Sequence, residues 1–318
     1  MEIFTSLSDI RIEEKTSVAL GNFDGIHIGH AEILKQAILT AKEQGLKSLC
    51  YTFSNHPFNF IMNREESDPA ALKLIMSEED KIAMLEDYGF DYLVNVPFDE
   101  TTMKMSSDSF FNDIVVDKMN AQAVSVGFNY SYGARAMGNA ATLTDECNSV
   151  GITVSIHDAV TLDGQVVSST LIRDEISKGN MESVSRMLGS DYSLTGIAVH
   201  GKNIGSENGV PTINLDIPVN RAVPPYGVYA ATVTIDDKSY SSVVNIGKQP
   251  TFGNNELKLE AHLLDYSDNA YGKSIRVCLK KFIRPERKFD SKEALYEQIK
   301  MDCETVEKYI SDYDKRAK

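Results

Sequence analysis

The chain has 318 residues, enough for two domains of ordinary size, and a composition of 42% hydrophobic and 25% charged residues is that of a soluble globular protein. Its 46 acidic against 32 basic residues give a net charge of −14, which argues against a nucleic-acid or anionic-membrane partner, since either calls for a basic face. No apolar run spans a bilayer, residues 1–15 lack the apolar core of a signal peptide, and Cys50, Cys147, Cys278 and Cys303 form no Cys-x-x-Cys, so a cytoplasmic chain with reduced thiols is expected.

In chain order, Val18–Leu20 reads as a buried strand broken by Gly21 and Gly25. Ile33, Leu34, Ala37, Ile38 and Ala41 then recur at helical spacing, and Gly45 supplies the stop. His27 and His30 fall at the corner between turn and helix. Unpaired N–H groups of a first helical turn, nearby glycines and two imidazoles on one face suit a phosphoryl group. A plain glycine-rich turn fits the same spacing. So does a His-x-x-His metal pair, although no third ligand sits at a useful distance.

Leu46–Phe53 is a second predicted strand, followed by a Ser-Asn-His-Pro turn ending at Pro57. Ser77 opens a helix through Ile82, Met84 and Leu85 that stops at Gly89. Asp91–Val96 is a strand, Ser106–Met119 a helix with Phe110, Phe111, Ile114 and Val115 as its apolar side, and Gln122–Gly127 and Ile152–His157 are strands. The alternation predicts an α/β domain: a parallel sheet covered on both faces, with ligands beyond the carboxyl ends of its strands. In Ser168-Ser-Thr-Leu-Ile-Arg173 the hydroxyls cap a helix running to Gly179, and Arg173 lies one turn in. This is another helix start suited to anions, or a plain cap with a surface arginine.

After Gly189 turn-bounded strands take over: Leu194–His200, Gly227–Ile235, Tyr240–Ile246, Glu256–Leu264 and Ser274–Ile283, with a hairpin turn at Asp236-Asp237-Lys238. They predict a small antiparallel β-barrel. A closing helix has Asp290 and Glu293 as its capping pattern and Leu295, Ile299, Val306 and Ile310 as its packing stripe. The domains are expected at 1–185 and 186–318. Glycines 201, 205 and 209 precede Pro211-Thr-Ile-Asn214, a backbone suited to phosphate followed by hard oxygen ligands suited to Mg²⁺. Alternation puts Leu257, Leu259, Ala261 and Leu263 on one strand face and Lys258, Glu260 and His262 on the other, where a solvated charged face is the bland explanation.

Gly-Asn-Phe-Asp-Gly-Ile-His-Ile-Gly-His, residues 21–30, resembles the His-x-Gly-His signature of the nucleotidyltransferase superfamily. With Phe-Asp-Gly before the first histidine it is similar to the adenylyltransferase half of the bacterial bifunctional riboflavin kinase/FMN adenylyltransferase (FAD synthetase) family. Ser-Ser-Thr-x-Ile-Arg matches that family's closing motif, about 140 residues later. Pro-Thr-x-Asn, Glu260 and Arg284-Pro-Glu-Arg-Lys-Phe289 resemble its riboflavin kinase module.

The resemblance implies a Rossmann-like domain followed by the barrel. It implies ATP-dependent phosphorylation of riboflavin to FMN, then adenylylation of FMN to FAD with release of pyrophosphate, with Mg²⁺. His27 and His30 would stabilise charge on the phosphates, and Arg173 would hold the pyrophosphate. Gly21, Asn22, Phe23, Asp24, Gly25, Ser168, Ser169 and Thr170 would line one nucleotide site, and Gly201, Lys202, Gly205 and Gly209 the other. Glu260 would be the kinase base, Thr212 and Asn214 the metal ligands, and Asn129, Arg284 and Arg287 neighbours of flavin. Asn129 stands where the family often has Asp. Ser206 stands where it commonly has Arg, and Asn208 where it has an apolar residue. Those last two motivate a second reading, a monofunctional FMN adenylyltransferase whose barrel binds flavin without phosphorylating it. Neither reading needs a nucleic acid or a membrane, and self-association stays open.

Overall fold

The computed structural model describes residues 1–199, 212–251, 254–266 and 268–316. Gly201, Lys202, Gly205, Ser206, Asn208 and Gly209 lie outside them. The chain divides into two compact units, Met1–Leu171 and Ile172–Lys318. The division falls inside a helix, fourteen residues or so before the expected boundary at 185, and each unit is a layered structure around its own core.

The sheet strands of the first unit are β1 (Glu2–Phe4), β2 (Thr16–Leu20), β3 (Lys47–Phe53), β4 (Tyr92–Val96), β5 (Ala121–Gly127) and β6 (Thr153–His157). They lie parallel in the order β1-β4-β3-β2-β5-β6. Its main helices are α1 (Ile28–Gln44), α2 (Pro57–Ile61), α3 (Glu78–Tyr88) and α4 (Ala140–Val150). Alternate strand residues serve opposite layers. Val18, Leu20, Leu49, Tyr51, Val94 and Val124 pack on one side with Phe110, Ile114 and Leu143. Ala19, Cys50 and Leu93 pack on the other with Ile33, Leu34, Ala37 and Leu85. The near-continuous apolar runs are thus explained by burial on both faces.

Gly45 and Gly89 close α1 and α3 in the left-handed conformation, and the Ser77 hydroxyl caps α3, as the sequence leads one to expect. Two features differ. Most of the predicted Ser106–Met119 helix is a π-helix, Phe110–Lys118. Phe110, Phe111, Ile114 and Val115 are all buried in the core. The polar N-terminal stretch also contributes strand β1, and Ile10 and Ile12 enter the same core.

The second unit opens with α5 (Ser169–Lys178), which spans the division, and α6 (Met181–Leu188). Strands β7 (Tyr192–Val199), β8 (Thr212–Asp216), β9 (Gly227–Ile235), β10 (Lys238–Thr251), β11 (Asn254–Leu263) and β12 (Ser274–Pro285) then close into an antiparallel barrel in the order β7-β8-β11-β10-β9-β12. Tyr229, Ala231, Val233, Val244, Ile246, Leu259, Ala261 and Leu279 are buried, so the predicted alternation holds. The final helix α7 (Lys292–Arg316) covers one outer patch, setting Val306 and Ile310 on Val228, Ala230 and Val243. Its first turn is capped by the Ser291 hydroxyl, which accepts from Ala294 N at 3.1 Å, rather than by Asp290.

Candidate active sites

In the first unit the chain goes from β2 to β3 and β4 on one side, while β5 and β6 lie on the other. The carboxyl ends of β2 and β5 therefore flank a topological switch point, where open α/β sheets bind ligands. Both predicted histidines are there. His27 is the N-cap of α1, and its Nδ1 accepts from His30 N at 3.2 Å. That bond assigns the neutral His27 proton to Nε2, leaving that nitrogen as a donor. The two rings stack with centroids 3.7 Å apart, and Phe23 meets His30 edge-on at 5.3 Å.

Burial holds His27 down at about 4 from an ordinary 6.5. Burial, and secondarily the charge of His27, keeps His30 well below its ordinary value too. Near neutral pH the pair is therefore uncharged. His30 Nδ1 is buried without a hydrogen-bond partner. Gly29 admits this packing, because a Cβ there would lie 3.2 Å from the His27 ring. The corner offers imidazole N–H and first-turn backbone N–H groups to an anion.

The loop before the corner is tense. Phe23 and Ile26 are buried yet have φ of 50° and 39°, and Gly25 has 84°. Asp24 holds it: Oδ1 accepts from Ile75 N at 3.0 Å and Met76 N at 3.3 Å. Its carboxylate therefore serves the neighbouring segment, while its carbonyl accepts from Ser169 Oγ at 2.9 Å. Gly21 N donates to Tyr51 O, and the Asn22 carbonyl accepts from Thr52 Oγ1. Ser168 Oγ caps α5 by accepting from Leu171 N at 3.2 Å. Thr170 is exposed on the first turn, and Arg173 follows in the same helix where the second unit begins.

Beside the histidine loop lies an open cleft lined by Asn22, Asp24, Phe53, His56, Pro57 and Lys81 among others. Lys81 is buried, with its ordinary value lowered by that burial, and its Nζ donates to Phe53 O. The sequence reading missed Lys81 because a lysine in an amphipathic helix looks like a solvated one. In the segment after β5, Asn129 packs its Oδ1 over Gly127. Tyr130 and Tyr132 stack on each other and pack on the core, so they are structural aromatics; Phe128 is 49% exposed.

On the barrel the strand registers bring the second set of predicted residues together. Glu260 on β11 pairs with Asn214 on β8 at one side and with Asn245 on β10 at the other, and His262 pairs with Thr212. Leu259, Ala261 and Leu263 turn inward, so this row is on the outer face. Asn214 is 2% exposed, and neither its Oδ1 nor its Nδ2 has a hydrogen-bond partner. Arg284 does not present an open fork. It grips Asp302 of α7 with Nε at 3.0 Å and Nη2 at 2.7 Å. Arg287 bonds Gln298 and lies 4.7 Å over the Phe289 ring. Asn245 was missed because a lone polar residue on a strand's outer face gives no signal by itself.

Comparison with known proteins finds one family for each unit. The FAD synthetase family model matches residues 9–171 and the riboflavin kinase model residues 188–310. A bifunctional riboflavin kinase/FMN adenylyltransferase of Bacillus subtilis is 33% identical over 95% of each chain. One of Haemophilus influenzae is 32% identical over 95% of this chain and 96% of its own. A crystal structure described as a macrolide-efflux protein from Streptococcus pneumoniae superposes with a TM-score of 0.87 at 28% identity, covering 96% of this chain and 98% of that one. Among the described residues no helix is long and apolar enough to cross a membrane.

Proposed function

Since the chain belongs to the bifunctional riboflavin kinase/FMN adenylyltransferase family, we propose that its barrel unit phosphorylates riboflavin to FMN and its sheet unit converts FMN to FAD. The observation that carries the reading is the bond from Ser169 Oγ to the Asp24 carbonyl. It brings together two motifs 145 residues apart, as a shared phosphate site would require.

In adenylylation, an FMN phosphate oxygen attacks the α-phosphorus of ATP and the bond to pyrophosphate breaks. The nucleophile is already an anion, so no protein base is needed. Imidazole N–H of His27 and His30, with the first-turn N–H groups of α1, would stabilise the charge that builds on the phosphates. Ser168, Ser169 and Thr170 would order the second helix start, and Arg173 would hold the leaving pyrophosphate. Gly21, Asn22, Phe23 and Gly25 would shape the loop around the phosphates, with Asp24 fixing it from behind. FMN would extend toward the cleft at Phe53 and His56 and toward Asn129.

In phosphorylation, the Glu260 carboxylate would take the proton of the ribityl 5′-hydroxyl as that oxygen attacks the γ-phosphorus, and ADP leaves. The residues fit Mg²⁺: Asn214 Oδ1 is a buried oxygen without a partner, and the Thr212 hydroxyl lies two residues away on the same strand face. Magnesium bound there would neutralise phosphate charge. Gly201, Lys202, Gly205 and Gly209 belong to this ATP site on sequence grounds. Arg284 and Arg287 would act by pinning the segment next to the flavin. A net charge of −14 and four free cysteines support a cytoplasmic enzyme of small-molecule substrates, without a nucleic-acid partner.

Chromatography of products from riboflavin, ATP and Mg²⁺, beside a tube given FMN, tests the reading. FAD in both tubes is expected. FAD from FMN alone would sink the kinase assignment, as the Ser206 and Asn208 departures would have it. FAD in neither tube would sink both.

A further inference from the structure

The segment 284–289 leads from β12 to α7 past the outer face of β10. Two of its residues hold the helix: Arg284 grips Asp302, and Arg287 bonds Gln298. Glu286, between them, goes the other way. Its Oε1 accepts from Asn245 Nδ2 at 3.2 Å, and its carboxylate rests on Gly247. A Cβ at Gly247 would overlap Oε1 and come within 2.9 Å of Cδ, so the bare backbone is what admits the carboxylate.

Asn245 is the cross-strand partner of Glu260. The Asn245 Nδ2–H donates to the Glu286 carboxylate, so Glu286 fixes which end of the Asn245 amide faces it. Asn214, with its unpartnered buried amide, flanks Glu260 on the opposite side. In the proposed reading Thr212 and Asn214 serve the ATP phosphates and the 284–289 segment lies next to the flavin, which would put Asn245 with Glu286 on the flavin side of Glu260.

We propose that Glu286 is a positioning residue of the kinase site. It seats the 284–289 segment on Gly247, orients the Asn245 amide next to Glu260, and thereby sets affinity for the flavin rather than for ATP. The proposal rests on reading Glu260 as the base.

The test is steady-state kinase kinetics on the full chain with Glu286→Ala, Gly247→Ala, the double variant and Glu286→Gln. FMN adenylylation by the same preparations reports on the fold. Each alanine variant is expected to raise KM for riboflavin about tenfold, the scale of one charge-assisted hydrogen bond, with KM for ATP unchanged. The double variant should be no worse than either single, because the new Cβ acts by displacing a carboxylate that is no longer there. Glu286→Gln, which keeps an acceptor for Asn245, should recover most of the affinity. Additive losses, an equal rise in both KM values, an unchanged riboflavin KM in Glu286→Ala, or adenylylation falling in step in every variant would each overturn the proposal. Glu260→Gln runs alongside: retained FMN formation there would refute the base assignment, whatever Glu286 does.

Discussion

At the end of the parallel sheet, two buried and uncharged imidazoles stand at the start of a helix; on the barrel, a carboxylate stands between two amides on an outer strand face. In the proposed reading both places handle ATP, yet the nucleophiles differ. A phosphate oxygen arrives as an anion, and the sheet unit needs only donors held in place and stripped of water. A ribityl hydroxyl arrives neutral, and the barrel unit needs an acceptor for its proton. The difference teaches that protonation of the nucleophile, more than the shared triphosphate, selects the side chains.

Removing the acceptor should have the largest effect. Glu260→Gln keeps the shape of the strand face and removes the base, so FMN formation should fall by about 10²–10⁴-fold. FAD formation from supplied FMN should stay at the wild-type rate, measured in the same preparation. Loss of both rates in a folded variant would collapse the distinction between the two sites. Removing a donor comes next. His30→Ala should lower FAD formation by about 10²–10³-fold, the usual cost of one preorganised donor, and leave FMN formation alone. An unaffected FAD rate would mean that backbone N–H groups carry the corner by themselves.

The imidazoles also predict a pH response. His27 sits at about 4 in the folded chain against 6.5 when free, so the unfolded chain binds more protons between those values. Stability is full above 6.5 and is lost as pH falls toward 4; at about pH 5 the loss from His27 is about 2 kcal/mol, and His30 adds in the same direction. Thermal unfolding of wild type and His27→Gln at neutral pH and near pH 5 checks this. The variant should lose less on acidification, and equal losses would show that these rings do not carry the linkage.

The two sites were unequally legible in the sequence. Val18 to His30 reads directly, because an apolar run, glycines and a helical stripe are local signals that place His27 and His30 at a strand end. The parallel sheet follows from strand–helix alternation. Ser169, by contrast, was readable as a helix start but not as a partner of the Asp24 carbonyl, a contact across 145 positions. Asp24 looked like a phosphate neighbour, and only the fold turns its carboxylate onto Ile75 and Met76. On the barrel, Glu260 was singled out through resemblance to the family. Its neighbours Asn214 and Asn245 depend on register, which alternation alone leaves undetermined. Arg284 was singled out through the resemblance as a neighbour of flavin, yet its partner Asp302 comes from a helix whose docking no local pattern encodes.

The smallest effects separate two adjacent hydroxyls of the sheet site. Ser168 Oγ caps α5 through Leu171 N, a local bond, so Ser168→Ala should cost about 1 kcal/mol of stability and little rate. Ser169 Oγ instead ties the start of α5 to the strained histidine loop. Ser169→Ala should cost about the same stability, since one neutral hydrogen bond is lost, but it should also slow FAD formation about tenfold, because loop and helix no longer share one geometry. FMN formation should be unchanged in both. The measurement is a pair of melting curves with a pair of FAD rates. If the two variants match in both, the Ser169 bond is merely another cap, and the sheet corner is held by the Asp24 carboxylate and the packing of Phe23 alone.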